Sequence, residues 1–292
     1  MPGIYVFLFI LIIFSIVPIS ARGELSVQDD LGRKITLAHP AERIISLAPN
    51  LTELLYSAGA GGKLIATVRF SDYPPQAMEL PRIGDAHNVD MEAIIALKPD
   101  FIVSWRTGTA AGISDKLSAL GFKVYQAEPD TLEKIAHTIE RFGHLAGTET
   151  AAMQSSQTFL DEIQTLDDQY SKKDKVRVFY QFWDRPMYTV NGRHLITRFI
   201  ELCGGENIYS GLESLTPIVD VESVLVANPG VIIASGNDEN RPDWLDNWKA
   251  WPELDAVAHD HLYSISPDLV QRHSVRAIQG IRSLCSYIDR AR

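Results

Sequence analysis

Val89-Asp90-Met91-Glu92-Ala93-Ile94-Ile95-Ala96-Leu97-Lys98-Pro99-Asp100-Phe101-Ile102-Val103 aligns without a gap on Val219-Asp220-Val221-Glu222-Ser223-Val224-Leu225-Val226-Ala227-Asn228-Pro229-Gly230-Val231-Ile232-Ile233. Each copy reads as a cap, a short helix, a proline stop and a buried strand. Asp90 and Asp220 carry the short acceptor side chain that an N-cap needs. Glu92 and Glu222 stand in the first turn, where the helix dipole favours negative charge. Helix chemistry accounts for each acid separately. It does not account for the matched pair, which puts one carboxylate on each half of a duplicated chain about a pseudo-twofold axis.

Outward from the first copy, Gln28 to Leu37 reads as a short hairpin and Ile44-Ile45-Ser46-Leu47 as a strand ending at Pro49. A helix follows from Thr52 to Gly59, then a strand over Lys63 to Val68. Beyond the copy come a helix over Ile113 to Leu120 and a strand over Lys123 to Gln126. Such alternation predicts a parallel sheet covered on both faces. From 131 to 172, Leu132, Ile135, Ile139, Phe142 and Leu145 keep helical spacing, and Ala151 to Tyr170 resumes it past Gly143 and Gly147. This stretch predicts a long rigid spine rather than a flexible linker. The second half repeats the α/β pattern from Val176 to Ile288. The expected fold is therefore α/β, with two Rossmann-like lobes of mainly parallel sheet, 23–130 and 173–292, joined by a spine helix over 131–172.

A chain of 292 residues exceeds the usual single-core size, and 46% hydrophobic with 22% charged residues is ordinary globular composition. A formal charge of −10 without clustered Lys and Arg argues against nucleic-acid binding. Residues 1–22 read as a signal peptide: Ile4 to Val17 is almost wholly apolar and is followed by Pro18, Ser20 and Ala21. The first residues carry no Lys or Arg, which leaves an uncleaved anchor as the alternative. No cysteine ends the segment, so a lipid anchor is not expected. Export favours a bridge between Cys203 and Cys285 over two buried thiols, because disulfides persist outside the cytoplasm.

Catalytic signals are missing. Gly59-Ala60-Gly61-Gly62 follows a helix and precedes a strand, the reverse of a phosphate-binding loop. His259-Asp260-His261 offers two ligands on a loop without a third, so no metal is expected. His87 and His273 stand near the expected lobe mouths, where a solitary His is more often polar surface than a ligand. No nucleophile elbow or zincin helix occurs, so an enzyme is not expected. Pro49, Phe70, Tyr73, Trp105, Phe182 and Trp183 fall near the carboxyl ends of strands, where open α/β sheets bind ligands. Aromatics drawn from both halves point to a flat, partly apolar ligand, against the simpler reading of interlobe packing.

Ser71-Asp72-Tyr73-Pro74-Pro75-Gln76, Trp105-Arg106, Gln181-Phe182, Cys203-Gly204-Gly205-Glu206-Asn207 and Asp268 with Arg272 resemble the periplasmic vitamin B12-binding proteins of ABC importers. These belong to the helical-backbone class III of solute-binding proteins, which also carry siderophores and haem, and the resemblance runs from about Arg43 to the C-terminus. It implies a periplasmic monomer that captures a corrinoid, cobalamin or cobinamide, between its lobes and delivers it to a permease dimer. No cofactor of its own is implied, the corrinoid being cargo. The ligand-binding residues so implied are Pro49, Phe70, Trp105, Phe182, Asp268 and Arg272, with Tyr73 and Trp183 beside them. Cys203 and Cys285 match the family's disulfide, and Glu92 and Glu222 its two permease-docking glutamates. The family has Trp at the positions of Ala86 and Thr216, and those replacements bear on the ligand. A ferric siderophore would want cleft cations, for which Arg69, Arg106, Arg185 and Arg272 are candidates. Haem would want an axial Tyr73 or His273.

Overall fold

The computed structural model describes residues 24–236 and 240–292; the expected signal peptide lies outside them. The first lobe opens with the antiparallel hairpin β1 (Leu25–Gln28) and β2 (Lys34–Leu37), followed by β3 (Ile44–Ser46), α1 (Pro49–Ser57) and β4 (Leu64–Ala66). It continues through α2 (Met91–Leu97), β5 (Phe101–Trp105), α3 (Ile113–Ala119), β6 (Val124–Ala127) and α4 (Leu132–Ala146). Its sheet is parallel, in the order β4-β3-β5-β6. After α5 (Glu149–Tyr170), the second lobe runs β7 (Val176–Gln181), α6 (Leu195–Leu202), β8 (Gly205–Asn207), α7 (Val221–Ala227) and β9 (Val231–Ala234). It ends with α8 (Asp255–Ala258), β10 (Leu262–Ser264), α9 (Pro267–Val270) and α10 (Ala277–Arg290), and its sheet is parallel in the order β10-β9-β7-β8.

The sequence repeat is a structural repeat. Asp90 Oδ1 accepts from Ala93 N at 2.9 Å and Asp220 Oδ1 from Ser223 N at 2.8 Å, each capping its helix. Lys98 and Asn228 then end α2 and α7 in the same left-handed conformation, with φ 48° and 43°. Alternation along the strands feeds opposite faces. Ile44, Phe101 and Val103 enter one buried cluster, whereas Ile45 and Ile102 enter another under α2 and α3. The first of these clusters continues through Phe159 and Leu166 of α5 into Val178, Phe199, Ile281 and Leu284. A shared core thus joins the lobes.

The stretch expected as one spine helix folds as two. Gly147 takes φ 66°, which ends α4, and the Thr148 hydroxyl donates to the Ala58 carbonyl at 2.6 Å, which turns the chain back. The two helices then pack antiparallel: Ser156 Oγ donates to Glu140 Oε1 at 2.6 Å, and a Cβ at Gly143 would lie 2.2 Å from that of Ala152. The α4 segment therefore covers the first lobe, and α5 alone makes the crossing. In the second lobe, Tyr188 forms isolated bridges, and Asp243–Ala250, which holds Trp244 and Trp248, is a 3-10 helix. Cys203, after α6, is bonded to Cys285 of α10.

Candidate functional site

Between the lobes lies a cavity of about 460 Å3 at the carboxyl ends of β5, β6 and β7. The first lobe contributes Trp105, Arg106, Thr107, Glu128 and Asp130; the second contributes Phe182, His194, Leu195, Thr216, Gln271 and His273, among others. A larger hollow, of about 750 Å3, lies on the second lobe between Glu222 and Trp244 and Trp251. It takes nothing from the first lobe. A ligand held by both halves belongs in the interlobe cavity.

Trp105 is fixed on several sides. Its Nε1 donates to Glu128 Oε1 at 3.2 Å, and its ring meets His273 of the other lobe edge-to-face at 5.4 Å. Gly108 is required beneath it, because any Cβ there would come within 1.9 Å of the indole. Phe182 stacks on Tyr188 at 5.7 Å. The next residue, Trp183, is 41% exposed and donates through Nε1 to the Arg185 carbonyl at 3.1 Å. Of the expected ligand residues, Trp105 and Phe182 line the cavity, and the other six lie outside its lining.

Those six fall into two groups. Phe70, 71% exposed at φ 66°, joins Tyr73 and Trp183 as aromatic surface left in water. Pro49 is the first residue of α1, where its missing N–H costs nothing. Asp268 and Arg272 belong to an ion-pair clasp between the lobes. Arg272 reaches Asp72 at 2.6 Å, Asp268 at 2.9 Å and Glu53 at 3.2 Å, while Arg276 reaches Glu53 at 3.3 Å and lies 4.3 Å over the Tyr73 ring. Glu53 is buried on α1 and also accepts from Ser274 Oγ at 2.5 Å. Burial raises its pKa, against the opposing pull of Ser274, Arg276 and Arg272. Sequence reasoning missed Glu53, whose one signal was an acid inside the otherwise buried run Leu51 to Leu55.

Two histidines line the cavity, and burial disfavours the charged form of each. Burial, with His273 nearby, pushes His194 down to about 4, and its Nδ1 accepts from Ile196 N at 3.2 Å as the cap of α6. Burial likewise lowers His273, although a hydrogen bond to the Pro129 carbonyl opposes it. His259 and His261 stack on each other at 5.8 Å, and no cluster of acids, His or Cys suited to a metal ion occurs among the described residues.

Glu92 and Glu222 are exposed on α2 and α7, and the caps of those helices are supplied by Asp90 and Asp220 instead. The same helices expose Ile95 and Val226, the latter at 88%. Of Ala86 and Thr216, where the resemblance led to an expectation of Trp, Thr216 lines the cavity and Ala86 does not.

Residues 44–269 match the model of the periplasmic binding protein family. The chain belongs to that family. Among similar proteins, the vitamin B12-binding protein of Vibrio cholerae serotype O1 is 38% identical over 250 residues, covering 85% of this chain and 90% of the other. The crystal structure of the periplasmic vitamin B12 binding protein BtuF of Vibrio cholerae superposes with a TM-score of 0.78 at 37% identity, over 86% of this chain and 98% of that one. The periplasmic heme-binding protein RhuT from Roseiflexus, in apo form, shares the fold with a TM-score of 0.74 at 17% identity, over 86% and 100%. Periplasmic binding proteins are non-enzymatic components of ABC transport that take small-molecule ligands, so this member's cleft is read as a ligand site.

Proposed function

We propose that this periplasmic binding protein captures a corrinoid, cobalamin or cobinamide, between its lobes and delivers it to the permease dimer of an ABC importer. The observation that carries the reading is Trp105 of one lobe and Phe182 of the other facing one cavity, in a chain 38% identical to a vitamin B12-binding protein. A corrin macrocycle presents flat apolar faces and a rim of amides, which suits aromatic walls with polar groups between them. The exposed Phe70, Tyr73 and Trp183 would form the rim of the ligand site, and covering such a side chain would contribute up to about 1.5–3 kcal/mol. The proposed ligand set is Pro49, Phe70, Tyr73, Trp105, Phe182 and Trp183, with Asp268 and Arg272 holding the wall as part of the clasp. Glu92 and Glu222 would meet the two halves of the permease. The working form would be a periplasmic monomer released from its signal peptide.

Titration with cyanocobalamin while tryptophan fluorescence is followed tests the reading. Saturable quenching is expected, because Trp105 would lie against the macrocycle. No quenching at micromolar ligand would remove it. A Soret shift on adding haem, without a response to cyanocobalamin, would favour haem instead.

A further inference from the structure

Glu128, just after β6, is 6% exposed and lines the interlobe cavity. Its backbone is held by the 2.6 Å hydrogen bond from its N–H to Asp30. Its Oε1 accepts from Trp105 Nε1 at 3.2 Å and from Thr107 Oγ1 at 2.9 Å, whereas its buried Oε2 has no hydrogen-bond partner. A second acceptor stands beside the same indole. The His273 ring donates to the Pro129 carbonyl, and its buried Nδ1 has no partner. With the ring proton assigned to Nε2, on the side of that carbonyl, Nδ1 is left as a lone pair. Cations also line the cavity, but Arg106 is exposed and Arg193 donates to the Glu213 carbonyl. Next to Trp105, then, the protein presents acceptors in excess of donors.

A buried acceptor left unpaired is costly, so a ligand that brings an N–H there is favoured over one that does not. Primary amides bring such a donor. A carboxylate brings none, and it also sets a second anion against Glu128. On the corrinoid reading above, we infer that Glu128, with His273 Nδ1 as the second acceptor, is a specificity-determining residue that takes amide N–H groups from the macrocycle rim. The cavity accordingly prefers an amidated corrinoid to the same corrinoid carrying a carboxylate at that place.

Wild-type protein and the Glu128→Gln variant are titrated with cyanocobalamin and with each of its separated monocarboxylate derivatives. The wild type should bind cyanocobalamin at least about tenfold more tightly than one or more of the monocarboxylates. Glutamine keeps an oxygen for Trp105 and Thr107 but puts an NH2 donor where Oε2 stood. For the discriminated isomer the preference should therefore fall to near unity or reverse. Glu128→Ala, checked for an intact melting transition, should show the same collapse if the glutamine variant misfolds. Equal wild-type binding of every monocarboxylate, or a preference unchanged in either folded variant, overturns the inference while leaving the corrinoid reading in place. No wild-type binding of cyanocobalamin overturns both.

Discussion

Ser274 Oγ of the second lobe donates to Glu53 Oε2 of the first at 2.5 Å, although the two residues are 221 positions apart. Around this bond Arg272 and Arg276 close on the same carboxyl, so lobes already joined by a shared core are also clasped by ion pairs. Such a clasp restrains hinge motion, and only a small closure on binding is expected.

Glu53→Ala should cost about 2–3 kcal/mol in urea denaturation. This is somewhat under the usual penalty of about 3–5 kcal/mol for breaking a buried pair, because Arg272 and Arg276 keep Asp268. The pH dependence has a definite sign. Burial raises the Glu53 pKa above the usual 4.5, so the native state retains the proton more firmly than the unfolded chain. The associated stability is present below that usual value and is lost as pH rises through the raised one. Melting temperatures from acid to neutral pH should show Glu53→Gln, which does not titrate, gaining on the wild type as pH rises. A wild type that gains instead would contradict the assignment.

His194 works in the opposite direction. Its ring stays neutral down to about pH 4 instead of 6.5, so the unfolded chain takes up the proton first as pH falls. Stability present above 6.5 should drain away between there and about 4, amounting to about 3 kcal/mol at the lower end. Asn at this position keeps a capping acceptor for α6 without titrating. His194→Asn should match the wild type within about 1 kcal/mol at pH 7.5 and exceed it at pH 5. Parallel urea midpoints at the two pH values would show the imidazole to be irrelevant.

The parts of the fold that were legible in the sequence are those set by local periodicity. The repeat placed α2 and α7, their caps and the strands after them, because capping and alternation act within a few residues. Periodicity is blind to a single φ of 66° at Gly147, so the hairpin of α4 and α5 passed for one helix. At the site, Trp105 and Phe182 were legible because parallel strands end where ligands bind. The clasp was not, since Glu53 finds its partners only after the whole chain has folded. Glu128 was hidden too: nothing in Glu128-Pro129-Asp130 distinguishes a cavity acceptor from a solvated loop.

The bridge between Cys203 and Cys285 closes a separation of 82 residues and ties α6 to α10 in the second lobe. On the chain-entropy model a loop of that length contributes about 4–5 kcal/mol. Replacing both cysteines by Ala should therefore lower stability by about 2–5 kcal/mol and leave the cleft residues in place. Thermal melting of the double variant, with and without reductant, provides the measurement. Equal melting temperatures for variant and oxidised wild type would contradict it.

Because Asp90 and Asp220 cap α2 and α7, the exposed Glu92 and Glu222 are left without a capping duty, and the two pairs of acids predict opposite phenotypes. Asp90→Ala and Asp220→Ala should each cost about 1 kcal/mol of stability. Reversing Glu92 and Glu222 to Arg should cost no more than about 1 kcal/mol each, the helix-dipole contribution, and leave cyanocobalamin affinity unchanged. If these glutamates meet a cationic permease surface, the double reversal sets like charges against each other and should remove most uptake of labelled cyanocobalamin in cells carrying the cognate importer. Each single reversal should give a partial loss, since a two-point contact would keep one of its points. Full uptake by the double variant would refute the docking assignment, whereas unfolding by a single reversal would return these acids to helix stability.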